Sequence, residues 1–163
     1  MRIRITINGE SRYFITDAEE SLADMLRRYG YVGVKIGCSE GTCGTCSILM
    51  DGKHVLSCVI LAVQASGREV VTIEGLGTVA EPHPIQVEFV KAGAVQCGFC
   101  TPGMVLATKA LLDANPDPDI EEIGNALDGT LCRCTGNTKI VDAVVCSGRK
   151  ISRAEEGSGG AQG

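Results

Sequence analysis

Tryptophan is absent from the 163 residues, and aromatic residues make up only 4% of them. A core with so few large side chains is small, and cores of that kind are often helped by a staple such as a metal centre. At 44% hydrophobic residues the chain still carries apolar material for one domain or two small ones. It has no basic run that could neutralise a phosphate backbone, and its formal charge of −5 argues against a nucleic-acid partner. No apolar run approaches the ~20 residues of a membrane span. Met1 to Ile7, MRIRITI, alternates like a strand and shows neither an apolar signal region nor a twin-arginine motif. The expectation is a cytoplasmic chain, in which cysteines stay reduced unless a metal claims them.

Cysteine is what the sequence has instead. Eight of its nine cysteines fall into two quartets. Cys38, Cys43, Cys46 and Cys58 read C-x4-C-x2-C-x11-C, and Cys97, Cys100, Cys132 and Cys134 read C-x2-C-x31-C-x1-C. The first is the plant-type spacing for a [2Fe-2S] cluster, in which four thiolates hold two tetrahedral irons. Its loop, GCSEGTCGTC, carries Gly37, Gly41 and Gly44, which let the backbone curl and aim N–H groups inward at an anionic cluster. A disulfide framework suits a small secreted chain, and structural zinc usually shows two short C-x2-4-C pairs, so neither matches the x4-x2 triplet. Alone, the second quartet is less specific: C-x2-C also occurs as a redox pair.

Along the chain, Ile3, Ile5 and Ile7 alternate with polar residues, and Asn8-Gly9 predicts a type I′ hairpin returning through Tyr13 to Ile15. Leu22, Met25, Leu26 and Tyr29 recur at helical spacing before Gly30, a C-terminal cap. A second hairpin, Cys46 to Met50 and Lys53 to Ser57 about Asp51-Gly52, folds the third and fourth cysteines together. Register alone sets Cys58 on the wrong face, so the chain must bend as it leaves the strand. Glu69 to Ile73 reads as a last strand, and Gly75 to Pro84 as a linker. The rest reads helical. Ile85, Phe89 and Ala92 form one stripe. Thr101-Pro102 reads as an N-cap followed by proline, opening a helix that stops at Asn115. Asp119 caps the next helix, with Ile120, Ile123 and Leu127 facing inward. A last helix runs from about Thr138 to Arg149 on Ile140, Val141, Val144 and Val145, with Cys146 on the opposite side as a spare thiol. Glu155 to Gly163 is too polar and glycine-rich to pack. The fold class is α+β, in three parts: domain 1–77, helical domain 78–154 and a disordered tail 155–163. The second quartet then lies at helix ends, where unpaired N–H groups and the positive dipole end favour an anionic cluster.

The blocks GCSEGTCGTC, QCGFCTPG and CRCTG, in this order and spacing, resemble the iron–sulfur subunit or domain of the xanthine oxidase family of molybdenum hydroxylases. The resemblance covers about residues 1–150. It implies an N-terminal ferredoxin-like β-grasp domain holding one [2Fe-2S] cluster and a helical bundle holding the other. By resemblance Cys97, Cys100, Cys132 and Cys134 bind the cluster next to molybdopterin, and Cys38, Cys43, Cys46 and Cys58 the one nearer FAD. Gln96 and Cys134 match positions that approach the pterin. Asn137 departs from the aromatic that many members carry after C-R-C-T-G. No G-x-G-x-x-G or P-loop follows a strand, and the length leaves no room for flavin or molybdopterin domains. The resemblance therefore implies an electron conduit with a large molybdopterin-binding subunit and a medium FAD-binding subunit as partners, in a hetero-oligomer such as a dimer of heterotrimers. Two other readings stand beside it: a free two-cluster ferredoxin, which would need only the first domain, and a zinc-stabilised structural protein.

Overall fold

The computed structural model describes residues 1–158 of the chain, with side chains through Ser152. Two hairpins and a single strand build the first half. β1 (Arg2–Ile7) and β2 (Glu10–Ile15) pair antiparallel across Asn8-Gly9, both at positive φ (52° and 82°), as a type I′ turn requires. β3 (Ser47–Met50) and β4 (Lys53–Leu56) do the same across Asp51-Gly52. β5 (Glu69–Val71) joins the hairpins, parallel to β1 and antiparallel to β3, giving the mixed order β2-β1-β5-β3-β4.

One face of this sheet is covered by α1 (Leu22–Arg28). Ser21 caps the helix by accepting from the Asp24 amide, and the chain leaves it through Gly30 at φ 96°. Leu22, Met25 and Leu26 are buried with Ile3, Ile5, Ile7, Ile48 and Val70 in one core. This is a β-grasp domain.

The second half is helical: α2 (Ile73–Leu76), α3 (Pro84–Lys91), α4 (Thr101–Ala114), α5 (Ile120–Leu127) and α6 (Thr138–Ser158). Its own core contains Ile85, Phe89, Met104, Val105, Ile123, Ile140 and Val144. α4 also lies against β3 and β4, so the helical unit leans on the sheet edge beside the first cysteine loop.

Four expectations shift. The last strand ends at Val71 rather than Ile73, because the Asn8 side chain takes the Thr72 amide at 2.9 Å and diverts it from the ladder. Ile73 instead opens α2, and it packs with Leu76 against the helical core. Thr101 is the first helical residue of α4 and not its cap; Cys100 holds the cap position. Proline fits the first turn in either frame, so the sequence could not fix the frame. Asp119 does cap α5, in a box with Glu122, but Ile120 is 65% exposed because this first turn overhangs the core reached by Ile123 and Leu127. Finally, α6 continues past Arg149, with Ile151 adding a contact to the helical core. Of the expected tail 155–163, residues 159–163 lie outside the described residues. Among the described residues no helix is long and apolar enough to cross a membrane.

Candidate metal centres

The first quartet is assembled by a loop and a bend. Residues 37–46 curl with Ser39, Gly41 and Gly44 at positive φ, which brings successive N–H groups to one side. Cys38 Sγ accepts from the Glu40 and Thr42 amides, each at 3.4 Å. Cys43 Sγ lies 3.3 Å from Thr45 Oγ1. Cys46 ends the loop just before β3, and its carbonyl accepts from both the amide and the hydroxyl of Ser57. The chain then turns into a short 3-10 segment, Ser57–Val59, which is the bend that swings Cys58 back. Cys58 is set near Cys46, and Cys43 near Cys38.

The second quartet is assembled from two separate loops. Cys97 and Cys100 stand before α4, and Cys132 and Cys134 between α5 and α6. Cys134 Sγ donates to Cys97 Sγ at 3.6 Å, and Cys100 is set near Cys132. Cys132 Sγ also accepts from Thr135 Oγ1 at 3.0 Å and from the Thr135 amide at 3.4 Å. Gln96 is exposed and donates through Nε2 to the Cys134 carbonyl at 3.1 Å, tying the two loops together. A cavity of about 170 Å³ is lined by Cys97, Phe99, Cys100, Leu131, Cys132, Arg133 and Cys134.

Thiols that meet in pairs are what a binuclear cluster needs from a protein, since each iron takes two thiolates and shares two sulfides. Two sulfurs on one tetrahedral metal with bonds of ~2.3 Å stand ~3.8 Å apart, close to the Cys97–Cys134 spacing. Among the described residues no three His, Cys, Asp or Glu side chains converge as a single-ion site. The donor set therefore fits two binuclear clusters, one per quartet.

Each quartet mixes thiols that ionise readily with thiols that hold their proton. The Thr42 side chain, then the Glu40 and Thr42 amides, bring Cys38 down to about 6. Burial works against Cys132, yet the Thr135 hydroxyl and amide bring it down to about 7. Burial, followed by the bond to the partner thiol, pushes Cys58 up to about 11 and Cys100 up to about 12. Cys134 is raised by its bond to Cys97. Metal binding must expel these protons, and the Cys134–Cys97 contact marks where metal–thiolate bonds would replace one of them.

Sequence reasoning brought together the cysteines that the structure pairs, and it placed Cys146 apart; that thiol is exposed on α6. It missed Thr42, Thr45 and Thr135 as partners of the sulfurs. Their spacing of two to four residues after Cys38, Cys43 and Cys132 was the available signal, since a hydroxyl or amide so placed turns back on the preceding side chain.

Comparison with known proteins agrees with this geometry. Residues 5–69 match the 2Fe-2S iron-sulfur cluster binding domain family, and residues 72–145 match the [2Fe-2S] binding domain family. The nicotinate dehydrogenase small FeS subunit of Eubacterium barkeri is 50% identical over 143 residues, covering 87% of this chain and 91% of that one. The xanthine dehydrogenase iron-sulfur-binding subunit of Escherichia coli O157:H7 is 43% identical, covering 88% and 91%. Among solved structures, quinoline 2-oxidoreductase from Pseudomonas putida 86 superposes with a TM-score of 0.90 at 43% identity, over 95% of this chain and 98% of that one. Aldehyde oxidoreductase from Desulfovibrio gigas gives 0.91 at 41% identity over 94% of this chain but 17% of that much longer one. Two family matches, paired thiols and relatives that are themselves subunits of larger oxidoreductases lead to one conclusion: this chain, a carrier of two [2Fe-2S] clusters, belongs to the iron–sulfur subunits of the xanthine oxidase family of molybdenum hydroxylases.

Proposed function

We propose that the chain relays single electrons between a molybdopterin centre on a large partner subunit and FAD on a medium one. In this reading Cys38, Cys43, Cys46 and Cys58 ligate one [2Fe-2S] cluster, and Cys97, Cys100, Cys132 and Cys134 the other. What a bound cluster supplies is reversible one-electron storage without proton exchange. The chain's residues hold it, shield it and donate hydrogen bonds to its sulfurs, which raises the reduction potential. The second quartet faces the molybdenum side, with Gln96 and Cys134 toward the pterin, and the first faces the flavin side. The proposed domains are 1–77 and 78–154, with α2 at the seam and a hydrophobic core in each. The proposed setting is the cytoplasm, in a hetero-oligomer such as a dimer of heterotrimers.

The observation that carries the reading is the asymmetry of exposure in the second quartet. Cys100 is 8% exposed and closes the inner end, whereas Cys97, Cys134 and Gln96 lie together at the surface. Electrons cross gaps at rates that fall steeply with distance, so a cluster with one open face is suited to a partner docked on that face. A free ferredoxin would have no use for a second helical unit of this size. The test is Cys134→Ser in the assembled complex: substrate should still reduce molybdenum, while flavin reduction is blocked. Flavin reduction at the wild-type rate would overturn the relay order, and a wild-type chain that associates with no such subunits would return the free-carrier reading.

A further inference from the structure

The first cysteine loop is tied to a histidine by a short run of hydrogen bonds. His54, on β4, reaches back across its hairpin, and its Nε2 stands 2.7 Å from Ser47 Oγ. The Ser47 hydroxyl donates to the Gly44 carbonyl at 2.6 Å, and the Ser47 amide donates to the same oxygen at 3.2 Å. That oxygen belongs to the peptide joining Gly44 to Thr45, inside the curl between Cys43 and Cys46. The preceding peptide is fixed as well, since the Cys43 carbonyl accepts from the Leu131 amide at 3.0 Å. α4 covers the junction: Ser47 is 2% exposed, and a Cβ on Gly103 would stand 2.7 Å from the Gly44 oxygen and 3.6 Å from Ser47 Oγ.

Charge is sparse around this run of bonds. β4 packs against β3 and α4. β3 carries no ionisable side chain, and α4 carries only Lys109 and Asp113, which pair with each other. On β4 itself the other charged residue is the exposed Lys53. His54 is thus the one group of these three elements whose charge changes between pH 5 and pH 8.

We infer that His54 is a proton-linked positioning residue for the first cluster, one whose charge, relayed through Ser47 to the Gly44 peptide, makes that cluster easier to reduce. The inference rests on the ligand assignment proposed above. Ser47 gives its proton to Gly44, so Nε2 is the donor to Ser47, and the charging proton enters at Nδ1, which has no partner among the described residues. A charged ring donates more strongly to the Ser47 oxygen, the hydroxyl donates more strongly to Gly44, and the polarised peptide presents a stronger N–H at Thr45. The positive ring also attracts the electron that the cluster gains. Both effects have one sign. For each electron that enters from the other cluster, up to one proton passes from solvent to Nδ1, and it leaves when the electron does; the cluster itself exchanges none.

The test is a potentiometric titration of the loaded full-length chain from pH 5 to pH 8, with each cluster followed by its own paramagnetic resonance signal. The first cluster's is the signal that Cys46→Ser abolishes. Burial holds His54 below the ordinary ~6.5, so the link acts in the acid half of that range. In the wild-type chain the first cluster should hold its electron about threefold more tightly or better at pH 5 than at pH 8, which is ~30 mV at ~59 mV per tenfold for one electron. His54→Gln, which keeps an amide donor and cannot take a charge, should leave the first potential flat, and Ser47→Ala should reduce its slope. The second cluster is the internal reference: its potential should be the same in wild type and His54→Gln at every pH. A wild-type slope retained in His54→Gln would overturn the link, as would a first potential that is flat in the wild-type chain. If Ser47→Ala loses iron, His54→Gln decides. A wild-type chain that never shows two signals would instead overturn the ligand assignment, so the two failures are distinguishable.

Discussion

The two cysteine quartets solve the same coordination problem in opposite ways. The first takes three of its four thiols from one ten-residue loop, so local backbone curvature does most of the positioning, and Cys46 is 2% exposed under the sheet core. The second takes two thiols from each of two loops separated by α4 and α5, so its geometry depends on how those helices pack. A contiguous loop can preorganise its amides around a sulfur, as Glu40 and Thr42 do for Cys38. A split site has fewer amides in reach and relies on a side chain, the Thr135 hydroxyl on Cys132, and on the Gln96 tie between its loops. The split site gains an open face in exchange, with Cys97 and Cys134 at the surface.

The largest expected effect comes from removing one buried thiol on each side. Cys46→Ser and Cys100→Ser should each lower iron content to about half, and each should abolish a different paramagnetic signal. Because Cys46 belongs to the sheet core and Cys100 to the helical core, the surviving signal should keep its wild-type shape. Loss of both signals from either variant would show that the two halves do not fold as separate units. The next effect is steric. Gly44→Ala meets backbone on two sides and sits at positive φ, so it should cost about 3 kcal/mol, whereas Gly98→Ala, at φ 81° with open space around it, should cost about 1 kcal/mol. Thermal midpoints of the loaded chains would rank them. A larger drop for Gly98→Ala would mean that the loop before α4 is held more tightly than its surroundings indicate.

That asymmetry also explains which parts were legible in the sequence. Both type I′ hairpins were readable because Asn8-Gly9 and Asp51-Gly52 act within a few residues, and the bend at Cys58 followed from register alone. The end of β5 was not readable, because it is set by Asn8, far away in sequence, reaching the Thr72 amide. The frame of α4 was missed by one residue and the exposure of Ile120 altogether, since neither capping chemistry nor periodicity reports where the neighbouring helix stops. At the metal centres the thiols announced themselves by spacing, while the Cys43–Leu131 contact carried no signal: a backbone amide and carbonyl look the same at every position.

The smallest expected effect is on acid stability, and the chain's two histidines, one in each half, allow the comparison directly. Burial lowers both below the ordinary histidine range, and Lys109 lowers His83 further. A histidine whose folded pKa lies below its unfolded value leaves the fold unpenalised above ~6.5 and destabilises it increasingly as pH falls from there toward the folded pKa. The two differ in what protonation does to their bonds. Ser47 Oγ already donates to the Gly44 carbonyl at 2.6 Å, so His54 Nε2, 2.7 Å away, must be the donor, a role that the charged ring can keep. His83 instead accepts the Ile85 amide at Nδ1 as the N-cap of α3, a bond that a proton on Nδ1 abolishes. The helical half should therefore be the more acid-sensitive. Between pH 7 and pH 5, His83→Asn, which keeps a capping acceptor, should flatten the loss of stability by a few tenths of a kcal/mol, more than His54→Gln does, both small because the rings are partly exposed. Hydrogen exchange across that range would read the halves separately: amides of α3 opening before those of β3 and β4 is the expected order, and the reverse order would place the dominant acid switch at His54.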